Sequence, residues 1–304
     1  MTPRIDGRFT AEAMAHAMRQ VAAELRVPAD DAELLRLTNN AIFALPRAGV
    51  VIRLTRSHTL HERVHKIVRL ARWFEDVEAP TIRLAPSMNQ PVAADGLLAT
   101  VWRYVTHTSP TPTYHELGQV LRRFHALGAP PLPLPLWDPV DDARRRLADA
   151  EALEEDHRAF LVDWCDRLAP RIAEFTSRAA QGLVHADAHV GNLIRSPHNV
   201  VVLCDFDATC LGPWQVDLAS VAAGQARFGR SGVHEALAAA YGFDVTKDPD
   251  WPLLREAREL KLVAAAVPLL SSAPGVAQEF AVRLRSIATD DRDARWTPFA
   301  QITH

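Results

Sequence analysis

Apolar residues recur at helical spacing over 10–26, where Met14, Met18, Val21 and Leu25 share one face and Thr10 stands at the N-cap position. Pro28 and Asp30-Asp31 close that element. Three short apolar runs follow, at 34–37, 41–45 and 50–54, divided by Asn39-Asn40 and by Pro46-Arg47-Ala48-Gly49. These divisions are too short for a helical crossover, so the runs predict antiparallel strands joined by tight turns. Over 60–74 the period becomes helical again: Leu60, Val64, Ile67, Val68, Ala71 and Phe74 form an apolar face, and Lys66, Arg69 and Arg72 stand off it. Two more strands are expected at 81–84 and 97–104. The pattern up to this point predicts a five-stranded sheet with one helix inserted.

A Ser/Thr/Pro stretch at 108–113 marks a link, with domains expected at 1–105 and 106–304. Helices are expected at 114–127, 142–154 and 157–179, the last broken or kinked by Pro170. Between the first two lies the Pro-rich run 129–139, read as an extended connector packed on its own domain because its leucines and Trp137 need burial. The period turns short and strand-like at 182–207, then helical again at 217–228, 233–241, 253–266 and 275–287. The aromatics Trp296 and Phe299 are expected to pack back on the body.

Composition changes this picture little. The chain has 304 residues, 48% of them hydrophobic, enough for two packed units with a sizeable core. A formal charge of -3 gives no drive toward nucleic acid or an anionic membrane surface. Three cysteines, Cys165, Cys204 and Cys210, form no C-x-x-C pair and read as apolar fillers in a reducing cytosol. No apolar run reaches the roughly 18–20 residues of a membrane helix, and the expected location is cytoplasmic.

The chemistry concentrates in 182–207. An apolar run ends at His185-Ala-Asp187-Ala-His189; a second run follows Gly191-Asn192; a third ends at Cys204-Asp205-Phe206-Asp207. Arg195 to Asn199 are turn formers, so the last two runs predict a β-hairpin in which Ile194 faces Val201 and Asn192 lies near the Cys204–Asp205 end. Asp187, Asn192 and Asp205 are then expected to meet at one sheet edge, a set suited to a divalent cation and a nucleophilic hydroxyl.

The spacing His185-x-Asp187-x-x-x-x-Asn192, then Asp205-x-Asp207, Gly212-Pro213 and Asp217-Leu218-Ala219, resembles the aminoglycoside phosphotransferase and choline kinase-like family of small-molecule kinases. That resemblance implies an α+β, protein-kinase-like two-lobe fold: an N-terminal antiparallel sheet with one helix, and a larger, mainly helical C-terminal lobe. It implies transfer of the γ-phosphate of ATP (or GTP) to a hydroxyl of a small molecule, such as an antibiotic, an amino sugar or a related metabolite. Asp187 is then the catalytic base, His185 braces its loop, Asn192 and Asp205 hold Mg2+, and Asp207 assists with metal or substrate. Asp217 caps a helix or braces the loop. Arg53 takes the place of the phosphate-binding lysine, Asn40 falls in the nucleotide-covering loop, and Tyr104-Val105 form the hinge that hydrogen-bonds adenine. The acid the family carries on the first-lobe helix is not evident: counting back from Trp73 gives Ile67, and Glu62 lies on another face, so either the register slips there or Arg53 lacks its partner on that helix.

Other readings explain less. A zinc hydrolase built on His185, Asp187 and His189 leaves Asn192 and Asp205-Phe206-Asp207 unused. A catalytically inactive nucleotide-binding or scaffolding relative fits the missing acid but not the intact Asp187, Asn192 and Asp205. Acceptor choice is expected to rest on the helices after Asp217. Glu256 and Glu259 are candidates for lining that cleft, against the alternative of surface acids paired with Arg255, Arg258 or Lys261.

Overall fold

In the computed structural model, residues 10–37, 40–55, 61–86, 89–150, 152–271 and 273–302 are described, and they form two compact units. The first comprises 1–112, 130–134 and 191–207; the second comprises 113–129, 135–190 and 208–304. A single cut after 105 would therefore leave the 191–207 hairpin with the helices, whereas it packs with the sheet.

The first unit is built on five antiparallel strands: β1 (Glu33–Leu37), β2 (Asn40–Leu45), β3 (Val50–Thr55), β4 (Val92–Ala94) and β5 (Leu97–Arg103), in the order β1-β2-β3-β5-β4. Helix α1 (Ala11–Glu24) is capped by the Thr10 hydroxyl, which accepts from the Ala13 N–H at 3.1 Å. It buries Met14, Met18 and Val21 in the same core as Phe43, Leu45, Ile52, Leu54 and Val101. Each such side chain, removed from water, favours the fold by about 1.5–3 kcal/mol.

Helix α2 (His61–Asp76) follows the expected apolar face, although Leu60, expected to start it, lies outside the described residues. Lys66 departs from the expectation: it is buried, not on the free face. The strand expected at 81–84 does not form. Its place in the sheet passes to β4, while the Gln90 side chain pairs with Val101, accepting its N–H at 2.8 Å and donating to its carbonyl at 2.9 Å. The 80–84 segment instead joins two structures. The Ile82 N–H donates to Leu203 O (3.0 Å), Leu203 N–H donates to Pro80 O (2.9 Å), and Leu84 bridges Trp102. Prolines at 80 and 86 lack the donors a longer ladder would need.

The second unit is mainly helical. Helix α3 (Tyr114–His125) starts at a capping box between Thr113 and Glu116. Helix α4 (Pro139–Ala148) starts and ends earlier than expected: Asp138 caps it, accepting from Val140 and Asp141, and a proline at N1 suits that start. Helix α5 (Glu155–Arg178) is continuous through Pro170. Pro170 is exposed, and so is Asp166, whose carbonyl loses its helical partner; water can reach it. The strand β6 (Gly182–Val184) pairs with β9 (Cys210–Gly212), a strand the sequence did not suggest. The run from 135 adds to that pair: Leu211 N–H donates to Pro135 O, and Trp137 N–H donates to Leu211 O at 2.7 Å. Gly212 is needed there, because a Cβ would stand 2.7 Å from Trp137 Cβ.

Helices α6 (Gln215–Phe228), α7 (Val233–Tyr241), α8 (Trp251–Ala264) and α9 (Pro274–Ala288) complete the unit. Trp296 packs back as expected, buried between the guanidinium groups of Arg227 and Arg283, with its indole N–H on Ser286.

Candidate active site

In the first unit, β7 (Leu193–Arg195) and β8 (Val201–Leu203) form the expected hairpin, one residue out of the expected register: Ile194 faces Val202, not Val201. The turn takes up the difference, with Asn199 in the left-handed region (φ 57°) that Asn tolerates. The ladder runs on past β8. Cys204 N–H donates to Asn192 O at 2.9 Å, which brings Asn192 beside the Cys204–Asp205 end as the sequence implied. The Asn192 side chain is buried, and Asp205 itself has φ 66°. A non-glycine residue held there costs energy, and the packed neighbours must enforce it. Asn192 and Asp205 supply only oxygen donors of the kind Mg2+ takes, so their chemistry fits that ion.

Arg53 does have an acidic partner, and it is Asp207. Arg53 Nη2 lies 2.5 Å from each oxygen of that carboxylate, Asn40 Nδ2 donates to it at 3.4 Å, and Lys66 Nζ donates to the Asp207 carbonyl at 2.8 Å. The pair is 10% and 23% exposed. Phe206, between the two acids, is buried against Phe74 and Trp102, which fixes the turn that carries them. Burial and the neighbouring Asp205 charge push the Cys204 thiol up to about 12, so it stays protonated and inert. At the expected hinge, the Tyr104 N–H donates to Gly49 O at 2.8 Å, and Val105 follows the end of β5. Asn39 lies outside the described residues.

In the second unit, β6 ends at a loop fixed by Asp217 on α6. That carboxylate is fully buried and accepts the N–H groups of His185 (2.8 Å) and Ala186 (2.7 Å) and the Nε2 of His125 (2.9 Å). Burial favours its neutral form, but the His125 hydrogen bond and the nearby charges outweigh that and hold it below the usual carboxylate range. Since an ionised carboxylate only accepts, His125 Nε2 carries the proton. His125 Nδ1 meets the Tyr241 hydroxyl at 2.9 Å. His185 is buried edge-on to Phe124. Ala186 has φ 60°; its N–H is held by Asp217 and its carbonyl by Lys261 Nζ at 2.6 Å. The strained turn is thus pinned from both sides, and it presents Asp187.

Asp187 lies on α8's basic face. Its Oδ1 is 3.1 Å from Arg258 Nη1 and 3.5 Å from Lys261 Nζ, and the side chain stays 37% exposed. Burial would raise its pKa, but Lys261, Arg258 and His189 outweigh burial and hold it far below the ordinary value. The chain then leaves this unit at Val190 and enters the first at Gly191. Asp187 and the Asn192–Asp205 hairpin therefore do not share one sheet edge, since β6 pairs with β9 and β7 with β8.

The family model described as the phosphotransferase enzyme family matches residues 36–260, most of the chain. The chain belongs to that family. No curated protein matches it. Among solved structures it is similar to the aminoglycoside phosphotransferase APH(3'')-Id from Streptomyces rimosus (16% identity, 82% of this chain and 98% of that one, TM-score 0.62). It is also similar to the choline kinase LicA from Streptococcus pneumoniae (13% identity, 90% and 99%, TM-score 0.62). A third is the GDP and kanamycin complex of APH(2")-IIia (14% identity, 91% and 98%, TM-score 0.59). At these identities the likeness is one of fold: a mixed architecture with an N-terminal antiparallel sheet and a helical C-terminal part.

The two acids weighed for the acceptor side of this phosphotransferase are both paired elsewhere, Glu259 with Arg255 as the alternative had it. Glu256 accepts from Trp164 Nε1 (2.9 Å) and Arg171 (2.6 Å), and Glu259 is buried against Arg227 (2.7 Å) and Arg255 (2.9 Å). Sequence reasoning missed Lys66, His125, Arg258 and Lys261. Helical spacing does place Arg258 and Lys261 three apart on one face of α8, but nothing in the sequence says that this face meets Asp187. Among the described residues no helix is long and apolar enough to cross a membrane.

Proposed function

We propose that this phosphotransferase moves the γ-phosphoryl group of ATP (or GTP) to a hydroxyl of a small molecule, with Mg2+. The observation that carries the reading is the doubly pinned turn at Ala186, which holds an ionised, part-exposed Asp187 on a rigid support. Phosphoryl transfer is mostly positioning and charge stabilisation, and it needs an anionic group of this kind to orient the hydroxyl and accept its proton. A carboxylate this strongly ionised acts chiefly by orientation, taking the proton late as the phosphoryl–oxygen bond forms.

The other roles follow the chemistry of each group. Asn192 and Asp205 would hold Mg2+, which would neutralise charge on the β- and γ-phosphates. Arg53 would offer charge to phosphates, and Asp207 would orient Arg53 or assist with metal. Asn40 would cover the nucleotide, and Tyr104 and Val105 would meet the base, Tyr104 through its carbonyl because its N–H is engaged by Gly49. His185 positions the loop from beneath. The nucleotides named in solved relatives, such as the GDP complex, support this side of the reading.

The test is Mg-dependent ADP formation in the presence of an acceptor panel. Turnover that requires both metal and Asp187 is the expected result. Tight MgADP binding with no turnover across a broad panel would overturn it in favour of an inactive nucleotide-binding relative.

A further inference from the structure

The second unit contains a cavity of about 190 Å3 whose lining includes Tyr114, His189, Gln225, Phe228, Arg230 and Arg258. Ala188 and His189 bring it directly onto the loop that carries Asp187, and Arg258 belongs to both the cavity wall and the Asp187 ion pair. No carboxylate lines it. Arg258 spends one nitrogen on Asp187, while its Nε is buried and makes no hydrogen bond. Arg230 rests on Phe228 and donates to the Tyr114 hydroxyl at 3.1 Å, and pairs with no carboxylate among the described residues. Two guanidinium groups, Arg230 and Arg258, thus line the cavity with no carboxylate in its wall, and Arg258 shares Asp187 with Lys261.

Resting on the kinase reading above, we propose that the acceptor is a small hydroxylated metabolite carrying an anionic group, a carboxylate or a phosphate, which Arg230 and Arg258 bind in this cavity. A partly enclosed site with surplus guanidinium charge attracts anions strongly, because the local dielectric is low, and it repels ammonium groups by the same physics. Arginine also matches the planar geometry of carboxylate and phosphate oxygens and can bind them through paired N–H donors. Phe228 and Tyr114 hold Arg230 at the cavity wall, the ring beneath its guanidinium and the hydroxyl as its acceptor. The volume points the same way: it is below the roughly 300–1,000 Å3 of sites that enclose drug-sized ligands. Specificity for a cationic antibiotic would call for acids here, and the two acids of α8 considered for that role, Glu256 and Glu259, are committed elsewhere. Arg230 is a specificity residue in this scheme; it touches the acceptor's charge and not its reacting hydroxyl.

The experiment measures calorimetric binding of four matched sugars to the full chain with MgADP present: glucuronate, glucose 6-phosphate, glucose and glucosamine. At least one anionic sugar should bind roughly tenfold tighter than glucose or better, with glucosamine weakest; which anion wins identifies the source of the charge. Arg230→Gln should erase most of that preference, and Arg230→Glu should move it toward glucosamine. MgADP affinity of each variant serves as the check on folding, and a merely structural role for Arg230 would weaken all four sugars together. Equal affinities, tighter glucosamine, no sugar bound at all, or an unchanged preference in the Arg230 variants overturns the proposal. Anion binding without phosphoryl transfer would count against the kinase reading while leaving the charge preference intact. Preferential transfer to glucosamine would uphold the kinase reading and overturn the preference.

Discussion

The two units treat the acids of one short motif in opposite ways. In the first, Asp207 is closed off: both oxygens face the same Arg53 nitrogen at 2.5 Å, Asn40 adds a third contact, and Lys66 takes the backbone carbonyl. In the second, Asp187 shares two cations at 3.1 and 3.5 Å and keeps more than a third of its side chain in solvent. A carboxylate whose charge is matched within its own unit is suited to hold a structure in place. One kept ionised beside surplus positive charge, on a pinned turn, is suited to act on something that arrives. Sequence proximity alone assigns both to the same machinery; their surroundings separate them.

The largest consequence concerns Asp187. Asp187→Ala should lower kcat by roughly 10^2–10^4-fold, with a loss of stability smaller than that of Arg53→Ala, since Asp187 is part-exposed and its cations keep solvent contact. An equal loss of activity and stability would break the contrast, because Asp187 would then behave as Asp207 does.

Arg53→Ala should do the reverse in proportion. It leaves the Asp207 charge part-buried without its guanidinium partner, and breaking a buried pair costs about 3 kcal/mol. Urea unfolding should register that loss, and nucleotide affinity should fall with it. Asp207→Asn in the Arg53→Ala background should recover part of the stability, because the stranded charge is gone. Failure to recover any would mean that the pair is not what holds the turn.

Much of this was legible in the sequence, and the limits have physical causes. The helical faces and the β1–β3 meander follow from periodicity, which reports burial directly; the buried Lys66 and the bounds of α4 depart from it. The strand expected at 81–84 is cut to a single bridge between Leu84 and Trp102, because the Val101 N–H that would extend the ladder is taken by the Gln90 side chain, which no period reveals. The hairpin was readable from Arg195 to Asn199, but its register depended on the φ of one residue, Asn199. The family resemblance points to a partner for Arg53 on α2; the acid it meets, Asp207, lies 154 positions away in the chain. The basic face opposite Asp187 was visible as a spacing and invisible as a neighbourhood. Long-range pairs of charges are set by packing, and one sequence carries no direct signal for them.

Close packing in the second unit offers a smaller test with the same logic. A Cβ at Gly118 would stand 2.6 Å from the Leu237 carbonyl oxygen, in a place where α3 and α7 pack against each other. Gly118→Ala should cost about 2 kcal/mol, read as a lower unfolding midpoint. Any loss of activity should fall on acceptor KM and kcat and spare MgADP affinity, because Asp187 belongs to this unit whereas Arg53, Asn192 and Asp205 belong to the other. A weaker MgADP affinity in this variant would show that strain in the helical unit reaches the nucleotide side, and the two units could not then be treated separately.

The finest distinction lies in pH. Asp217 is held below the ordinary carboxylate range, which is about 3.9. In the unfolded chain it takes up a proton as pH falls through that value, while in the folded protein it does not. Its contribution to stability is therefore complete above pH about 4 and declines as pH drops toward the folded value. Asp217→Asn removes the titrating group and keeps one acceptor oxygen, so that its NH2 faces either the Ala186 N–H or the His185 N–H and His125. It should cost about 1–2 kcal/mol at neutral pH, and the gap between variant and wild type should narrow below pH 4. Acid unfolding curves followed by circular dichroism would read this. A gap that stays constant with pH would mean that Asp217 titrates alike in the folded and unfolded chains; a gap that widens as pH falls would mean that it is protonated in the folded state, and the loop beneath Asp187 would then be held by a neutral acid, with His125 Nε2 free to accept its proton.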